Sequence, residues 1–159
     1  NYQHYFYSFL TDLYRNKLGF EEKRESDIKL IESLLSYLQN SKTDYTNFFR
    51  NLHKVHETKN NLFQDEKGKA WLEKFQERFK EEKISKETSQ EKMLTNNPKF
   101  ILRNYLAHQA IKKAESGDFS EVELLANILN KPFDEQSKYE SYSEPSPEWG
   151  KSLEISCSS

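Results

Sequence analysis

The sequence predicts an all-α fold of about six helices followed by an irregular C-terminal tail. Apolar residues recur at intervals of three and four, and no stretch alternates convincingly enough for a strand. The four Gly and four Pro residues fall between the periodic segments. We therefore expect a helical domain over residues 1–130 and a tail over residues 131–159 that packs on it.

The first three helices are bounded by recognisable capping residues. We expect the first over residues 2–18, ended by Gly19, the second to begin after Ser26, and a short third helix to begin after Asp44. The apolar positions that define their faces are Tyr5, Phe6, Phe9, Leu10, Leu13 and Tyr14, then Leu30, Ile31, Leu34, Leu35 and Leu38, then Tyr45, Phe48, Phe49 and Leu52.

Residues 53–66 are polar and without a clear period, so we expect a loop there. A fourth helix is predicted over residues 65–83, with its apolar face formed by Trp71, Leu72, Phe75 and Phe79. Its opposite face mixes charges, Lys74 and Arg78 among them, and we expect that face to be solvated. The helix is expected to resume after a break near Ser85 or Ser89.

The central helix is predicted over residues 97–111, with Asn97 as N-cap and Pro98 in the first turn. Its apolar residues cover a face broad enough to pack against more than one neighbour. Arg103, Asn104 and His108 lie within that apolar surround, and we expect them to form a structural polar network. The alternative, in which Arg103 reaches a ligand or partner, is less favoured.

The last helix is predicted to follow Gly117, with Ser120 and Glu123 as a capping box and Pro132 as its stop. The remaining tail has no helical period. We expect it to lie on the surface and to be held there by isolated rings, which are Phe133, Tyr139, Tyr142 and Trp149.

Composition excludes several classes of protein. The net charge of −2 gives no electrostatic argument for nucleic acid or for an anionic membrane surface. No apolar run approaches the roughly 20 residues of a membrane span, and we expect no secretory leader. The single cysteine excludes an internal disulfide and fits a reducing compartment. Because the chain begins at Asn1 and its one Met is Met93, we expect a fragment of a longer protein.

Candidate chemistry is sparse. His53, His56 and Glu57 have a spacing that could present metal ligands, but no further ligand is near, so solvated loop histidines are favoured over a small metalloenzyme. Asp118 lies in an Asp-Phe-Ser sequence that superficially resembles the kinase magnesium element, but its context is that of a helix cap. Phosphate loops and GxSxG nucleophile motifs are absent. We therefore assign no catalytic, cofactor-binding or metal residue, and we treat Cys157 as a candidate redox residue.

Several stretches resemble the C-terminal end of the selenoprotein O (YdiU) family. They are NPKFILRNYLAHQAI at residues 97–111, GDFSEV at 117–122, PFDEQ at 132–136 and PEWGKSLEISCSS at 147–159, together with DYTNFFR at 44–50. The resemblance implies the C-terminal helical part of a kinase-like protein adenylyltransferase, which moves AMP from ATP, with Mg or Mn, onto Ser, Thr or Tyr hydroxyls of proteins.

The nucleotide-binding and catalytic residues of that family lie upstream of the matched region, so none is carried over. The resemblance implies that this piece supports the upstream kinase-like domain, that it holds no cofactor itself, and that the whole protein has protein substrates. Some animal members carry selenocysteine at the position of Cys157, which leads us to expect that Cys157 pairs with an upstream thiol. A bacterial cytoplasmic location is expected, or a mitochondrial one in a eukaryote.

The alternative class is a free-standing helical interaction module. A support domain should expose a large apolar patch where the rest of the enzyme packs, whereas a free-standing module should be well covered.

Overall fold

The computed structural model describes residues 2–57 and 61–153 and divides into two compact units, the first ending at Asn97 and the second beginning at Pro98. All of its regular elements are helices, and the described residues contain no strand, so the predicted all-α class is confirmed. The first unit ends at Asn97, where the backbone is extended, and the predicted division of the chain at residue 130 stays a prediction.

Seven α-helices are present in the described residues, one more than the sequence indicated. The first unit contains α1 (Tyr2–Lys17), α2 (Asp27–Ser41), α3 (Tyr45–Asn51), a 3₁₀-helix (Leu52–His56), α4 (Glu66–Phe79) and α5 (Lys86–Asn96). The second contains α6 (Asn104–Glu115), α7 (Ser120–Leu129) and two 3₁₀-helices (Ser137–Ser143 and Glu148–Gly150). The additional helix is α5, which Ser85 separates from α4 by accepting a hydrogen bond from the Thr88 N–H.

The core of the first unit is built from large rings. Phe75 stacks on Phe20 with centroids 5.1 Å apart and on Trp71 at 5.5 Å, and Trp71 lies 5.3 Å from Phe63. The Trp71 indole N–H donates to the Leu30 carbonyl across 2.9 Å, which joins α4 to α2. Ring-rich packing of this kind supplies a large buried apolar area with few side chains.

The turn after α1 depends on Gly19. Its φ of +74° is the left-handed conformation that glycine adopts without strain. A Cβ at this position would lie 2.7 Å from the Ser89 carbonyl oxygen, so glycine also allows α5 to approach. The predicted end of the first helix is therefore confirmed, and Leu18 and Phe20 on either side are fully buried.

Arg78 is the principal correction to the predicted solvated face of α4. Its side chain is 5% exposed, and its Nε donates to Asp27 Oδ1 across 2.6 Å while its Nη1 lies 2.8 Å from Glu82 Oε1. The guanidinium also covers the Phe20 ring at 4.4 Å. Burial alone would lower the pKa of Arg78, but its hydrogen bonds to the two carboxylates raise the pKa instead. The charged face was misassigned because Arg78 finds its partners outside its own helix.

The start predicted for the central helix is wrong. Asn97 does not cap a helix; it is extended, with φ −122° and ψ 101°, as expected of a residue before proline. Its fully buried amide donates to the Lys17 carbonyl (2.9 Å) and accepts from Lys17 Nζ (3.2 Å). The helix begins only at Asn104, after an extended segment in which the N–H groups of Lys99 and Phe100 both donate to the Pro132 carbonyl.

The second unit also differs from prediction in its exposed residues and in its cap. Ile111 is exposed on α6, and Leu102 is exposed in the extended segment before it, so the predicted central helix buries a narrower face than the sequence indicated. Ser120 is the first residue of α7 rather than its capping residue, and its N–H donates to the Asp118 carboxylate (3.0 Å). The capping box is therefore wrong, because the acidic residue two positions earlier takes that role.

The chain after α7 contacts α6 and α7. Tyr142 and Leu153 contact the buried cluster of this unit, formed by Tyr105, Leu106, Ala110 and Leu125. Lys99 anchors the same segment, since its Nζ lies 2.9 Å from Glu135 Oε2 and 2.6 Å from Glu140 Oε2.

We predict that Arg78→Met lowers the free energy of unfolding by about 3–5 kcal/mol, because Asp27 and Glu82 would remain buried without their cation. Lys83→Met is the matched control, since it removes an ion pair to Glu22 from a side chain that is 86% exposed. Urea unfolding followed by circular dichroism measures both variants. Equal stability of the two variants would contradict the assigned role of Arg78.

Candidate functional site

One side of α1 carries a row of exposed apolar side chains, which we term the α1 face. It consists of the consecutive residues Tyr5 and Phe6, followed by Phe9 and Leu13 at steps of three to four residues along the helix. Tyr5 is 73% exposed, Phe9 66%, Phe6 49% and Leu13 41%. A contiguous row of large apolar groups on a soluble surface marks a site of interaction. The sequence predicted these residues as a packing face, but the first unit leaves them largely exposed.

The C-terminal half of α1 is firmly attached to the first unit. Tyr14 packs against Phe49 with ring centroids 6.0 Å apart, and Leu18 is fully buried. The hydrogen bonds between Lys17 and Asn97 fix the end of the helix, and burial lowers the pKa of the Lys17 ammonium. The α1 face therefore projects from a helix whose orientation is fixed by its other end.

A groove of about 310 Å³ adjoins α1 on a neighbouring side. Tyr7 and Ile28, both exposed, supply its apolar lining together with Thr11. Lys23 crosses its rim, where Nζ donates to Ser8 Oγ across 3.3 Å and lies 3.3 Å from Asp12 Oδ1. The groove extends the apolar surface of α1 beyond the α1 face and gives it a charged border.

The arrangement favours docking rather than chemistry. The groups that α1 exposes are rings and a leucine, which bind by removal of apolar area from water. Within residues 2–57 and 61–153, no three His, Cys, Asp or Glu side chains converge in a way that could hold a metal ion. None of the helices that the structure describes combines the length and apolar character needed to cross a bilayer.

The histidines considered as metal ligands serve structural roles. His53 Nδ1 lies 2.9 Å from the Arg50 carbonyl, and His56 Nε2 lies 3.1 Å from Ser89 Oγ. His56 also packs on Phe79 with centroids 4.4 Å apart, so it is not the solvated loop histidine that the sequence indicated. Burial lowers the pKa of His56 from 6.5 to about 4, which keeps the ring neutral at pH 7.

The three residues of the predicted polar network lie near the start of α6: Arg103 immediately precedes the helix, and Asn104 and His108 are within it. Arg103 is 9% exposed, and its Nη2 lies 3.5 Å from the Ser143 carbonyl. Asn104 donates to the Leu153 carbonyl across 3.0 Å, while His108 is half-buried. Both bonds join α6 to the tail, and a single network through all three residues stays a prediction.

Of two further candidate residues from the sequence, Asp118 and Cys157, only Asp118 lies in the described part of the chain. The Asp118 carboxylate accepts from the Ser120 N–H at the start of α7, which is the capping role expected for the Asp-Phe-Ser sequence. Hydrogen bonding to Ser120 lowers the pKa of Asp118. Cys157 lies outside the described residues, so its redox role stays a prediction.

The sequence missed a second groove, which lies within the second unit and has a volume of about 410 Å³. Trp149 stands at its opening, 53% exposed, with its ring perpendicular to that of Tyr105 at a centroid distance of 6.0 Å. The spaced rings of the tail were the only sequence signal, and they were interpreted as anchors. Tyr142 is such an anchor, since its hydroxyl donates to Glu121 across 2.8 Å, whereas Trp149 remains accessible.

Comparison with known proteins identifies relatives along almost the whole chain. The model of the family described as protein adenylyltransferase SelO matches residues 1–130. A protein nucleotidyltransferase YdiU of Vibrio parahaemolyticus is 47% identical over 92% of this chain and 32% of the relative. Its counterpart from Pseudomonas fluorescens is 46% identical over 93% of this chain and 32% of its own length. That from Aliivibrio salmonicida is 42% identical over 99% of this chain and 34% of its own length. The chain therefore spans about a third of the curated relatives that it matches.

We predict that acid destabilises this chain partly through His56. The unfolded chain protonates this residue near pH 6.5 and the native chain only near pH 4, so stability is lost as the pH falls through that window. His56→Gln keeps a polar partner for Ser89, and the loss between pH 7 and pH 4.5 should shrink by about 1–2 kcal/mol, allowing for partial exposure. Urea midpoints at the two pH values measure the change. His108→Gln is the control, and an equal acid sensitivity of both variants would contradict the prediction.

Proposed function

Because this chain belongs to the protein adenylyltransferase SelO family, we propose that it forms the C-terminal helical portion of such an enzyme and is itself non-catalytic. The whole protein would transfer AMP from ATP to Ser, Thr or Tyr hydroxyls of protein substrates. ATP and its Mg or Mn ion would be held by the upstream kinase-like part. The span of about a third of the relatives' length supports this division, since most of the homologous enzyme lies outside the chain.

The α1 face is the observation that carries this proposal. The first unit buries rings throughout its core yet leaves Phe9 66% exposed, together with three further apolar side chains of α1. A helix of that character is stable when another surface covers it. The kinase-like part of the same protein is the proposed cover, and the groove beside Tyr7 and Ile28 would widen the contact.

The mechanical role follows from how α1 is held. Its C-terminal end is bonded through Lys17 to Asn97, while its N-terminal half presents the α1 face. A surface docked there would be braced by the ring-rich core of the first unit. The chain would thus stabilise the kinase-like part and affect how protein substrates reach it, without contributing a reacting group.

A free-standing interaction module is the alternative. It is disfavoured by the same exposure, because an independent domain gains stability by covering rings such as Phe9 rather than presenting several in one row.

We predict that Phe9→Glu destabilises the intact protein but not the isolated chain. In the intact protein the charge would enter a buried apolar contact and cost about 2–4 kcal/mol. In the isolated chain Phe9 is already exposed, so the melting temperature should hardly change. Thermal melts of both proteins, with AMP transfer as a second readout in the intact one, measure the difference.

Gln39→Glu is the matched control, since it places the same charge at an exposed polar position on α2. It should leave both proteins unchanged. A Phe9→Glu variant of the intact protein with normal stability and AMP transfer would refute the docking role of the α1 face.

We also predict that ATP with magnesium leaves the melting temperature of the isolated chain unchanged. A ligand that binds only the native state raises the melting temperature, so a chain without the nucleotide site should show no shift. Differential scanning fluorimetry with magnesium alone as the control tests this. A shift specific to ATP would place nucleotide-binding residues within the chain and overturn the proposed division.

A further inference from the structure

The groove of the second unit has the composition of a cation-binding site. It lies among α6, α7 and the following chain and has a volume of about 410 Å³. Rings and prolines form its walls, and carboxylates stand on its border. Its principal lining residues are Tyr105, Tyr142, Trp149, Pro147, Glu121 and Glu144.

The exposed indole of Trp149 is held in place by close backbone packing. The neighbouring Gly150 is buried against Tyr105, and a Cβ there would lie 2.8 Å from the Tyr105 Cβ. The Gly150 N–H donates to the Pro147 carbonyl across 2.9 Å, which closes the turn that carries Trp149. The backbone beside Trp149 is thus fixed, and its ring, which contacts Tyr105 and is 53% exposed, is available to a ligand.

The two carboxylates of the groove differ in their hydrogen-bond and ion-pair partners. Glu121 accepts from the Tyr142 hydroxyl (2.8 Å) and pairs with Lys113 (2.7 Å). Burial and the bond to Glu121 raise the pKa of Tyr142 to about 12. Glu144 is exposed and forms no ion pair or hydrogen bond within the part of the chain that the structure describes. Burial raises the pKa of Tyr105; the nearby Arg103 guanidinium acts against that rise, and the charge of Glu144 adds to it.

We propose that this groove binds an arginine side chain of a partner polypeptide, with its guanidinium stacked on Trp149 and paired with Glu144. Arginine fits better than lysine because its planar group can stack on an aromatic ring and still donate to a carboxylate at its edge. The carboxylate supplies the charge complementarity, and the exposed indole supplies the stacking surface.

A separate partner polypeptide fits this groove better than a permanent contact within the same protein. The α1 face is a row of apolar groups, as suits a surface that stays covered. This groove instead carries a carboxylate that a permanent contact would have to bury. A groove that combines apolar walls with a charged border has the mixed composition of a non-obligate interface. The assignment does not depend on the docking of the α1 face.

The test uses the intact protein labelled with 5-fluorotryptophan, with the Trp149 resonance assigned from a Trp149→Phe variant. The probe is the peptide acetyl-Gly-Ser-Arg-Ser-Gly-amide, compared with peptides in which citrulline or lysine replaces the arginine. We expect the Trp149 resonance to shift in a saturable, salt-sensitive manner. Citrulline should bind about tenfold more weakly, since it keeps the shape and loses the charge, and lysine several-fold more weakly.

Glu144→Gln is the decisive variant, because an exposed side chain can be neutralised without disturbing the fold. We expect it to weaken binding of the arginine peptide about five- to tenfold. Glu148→Gln is the matched control, since that carboxylate pairs with Lys151 instead, and its affinity should equal that of the parent protein. Equal binding of the citrulline peptide, an unaffected Glu144→Gln variant, or no response of Trp149 in the intact protein would each overturn the proposal.

Discussion

The ion cluster around Arg78 is the constraint on which the first unit depends. It joins α4 to the start of α2 through Asp27 and to the loop after α1 through Glu82, whose Oε2 accepts from the N–H groups of Glu21 and Glu22. Such a cluster places two buried carboxylates and one cation at fixed positions. Because each would be costly alone, the elements that carry them cannot separate without exposing or unpairing a charge.

The apolar core packs directly on that cluster. Phe20 lies under the guanidinium and against Phe75, so the ionic and aromatic parts of the core share a ring. Gly19 allows the loop to reach this position, since its left-handed turn brings Phe20 inward immediately after α1 ends. The orientation of α1, and with it that of the α1 face, therefore follows from contacts at the opposite end of the helix.

Prediction from the sequence succeeded where the determining contacts are local. Asp44 caps α3 by accepting a hydrogen bond from the Asn47 N–H. Gly117 follows the end of α6 and has the left-handed φ of +86° that is common for glycines after a helix. Prediction failed where a residue suited two roles. Asn97 has the chemistry of a cap, but its amide is taken by Lys17, and Ser120 yields its expected role to Asp118. The α1 face was predicted to be a packing surface, but periodicity could not indicate that the first unit leaves it largely exposed.

The sequence by itself determined the all-α class, most helix positions and the family resemblance, because spacing, caps and glycine turns act within one or two turns of helix. The tertiary structure decided which charged and aromatic residues are buried. Arg78 and Asp27 are 51 residues apart, and only folding brings them to 2.6 Å. The same holds for His56, whose low pKa depends on packing against α4, and for Trp149, whose exposure depends on how the tail returns to α6. Whether a residue is buried depends on which distant segments pack against it, and a local sequence pattern does not specify those contacts.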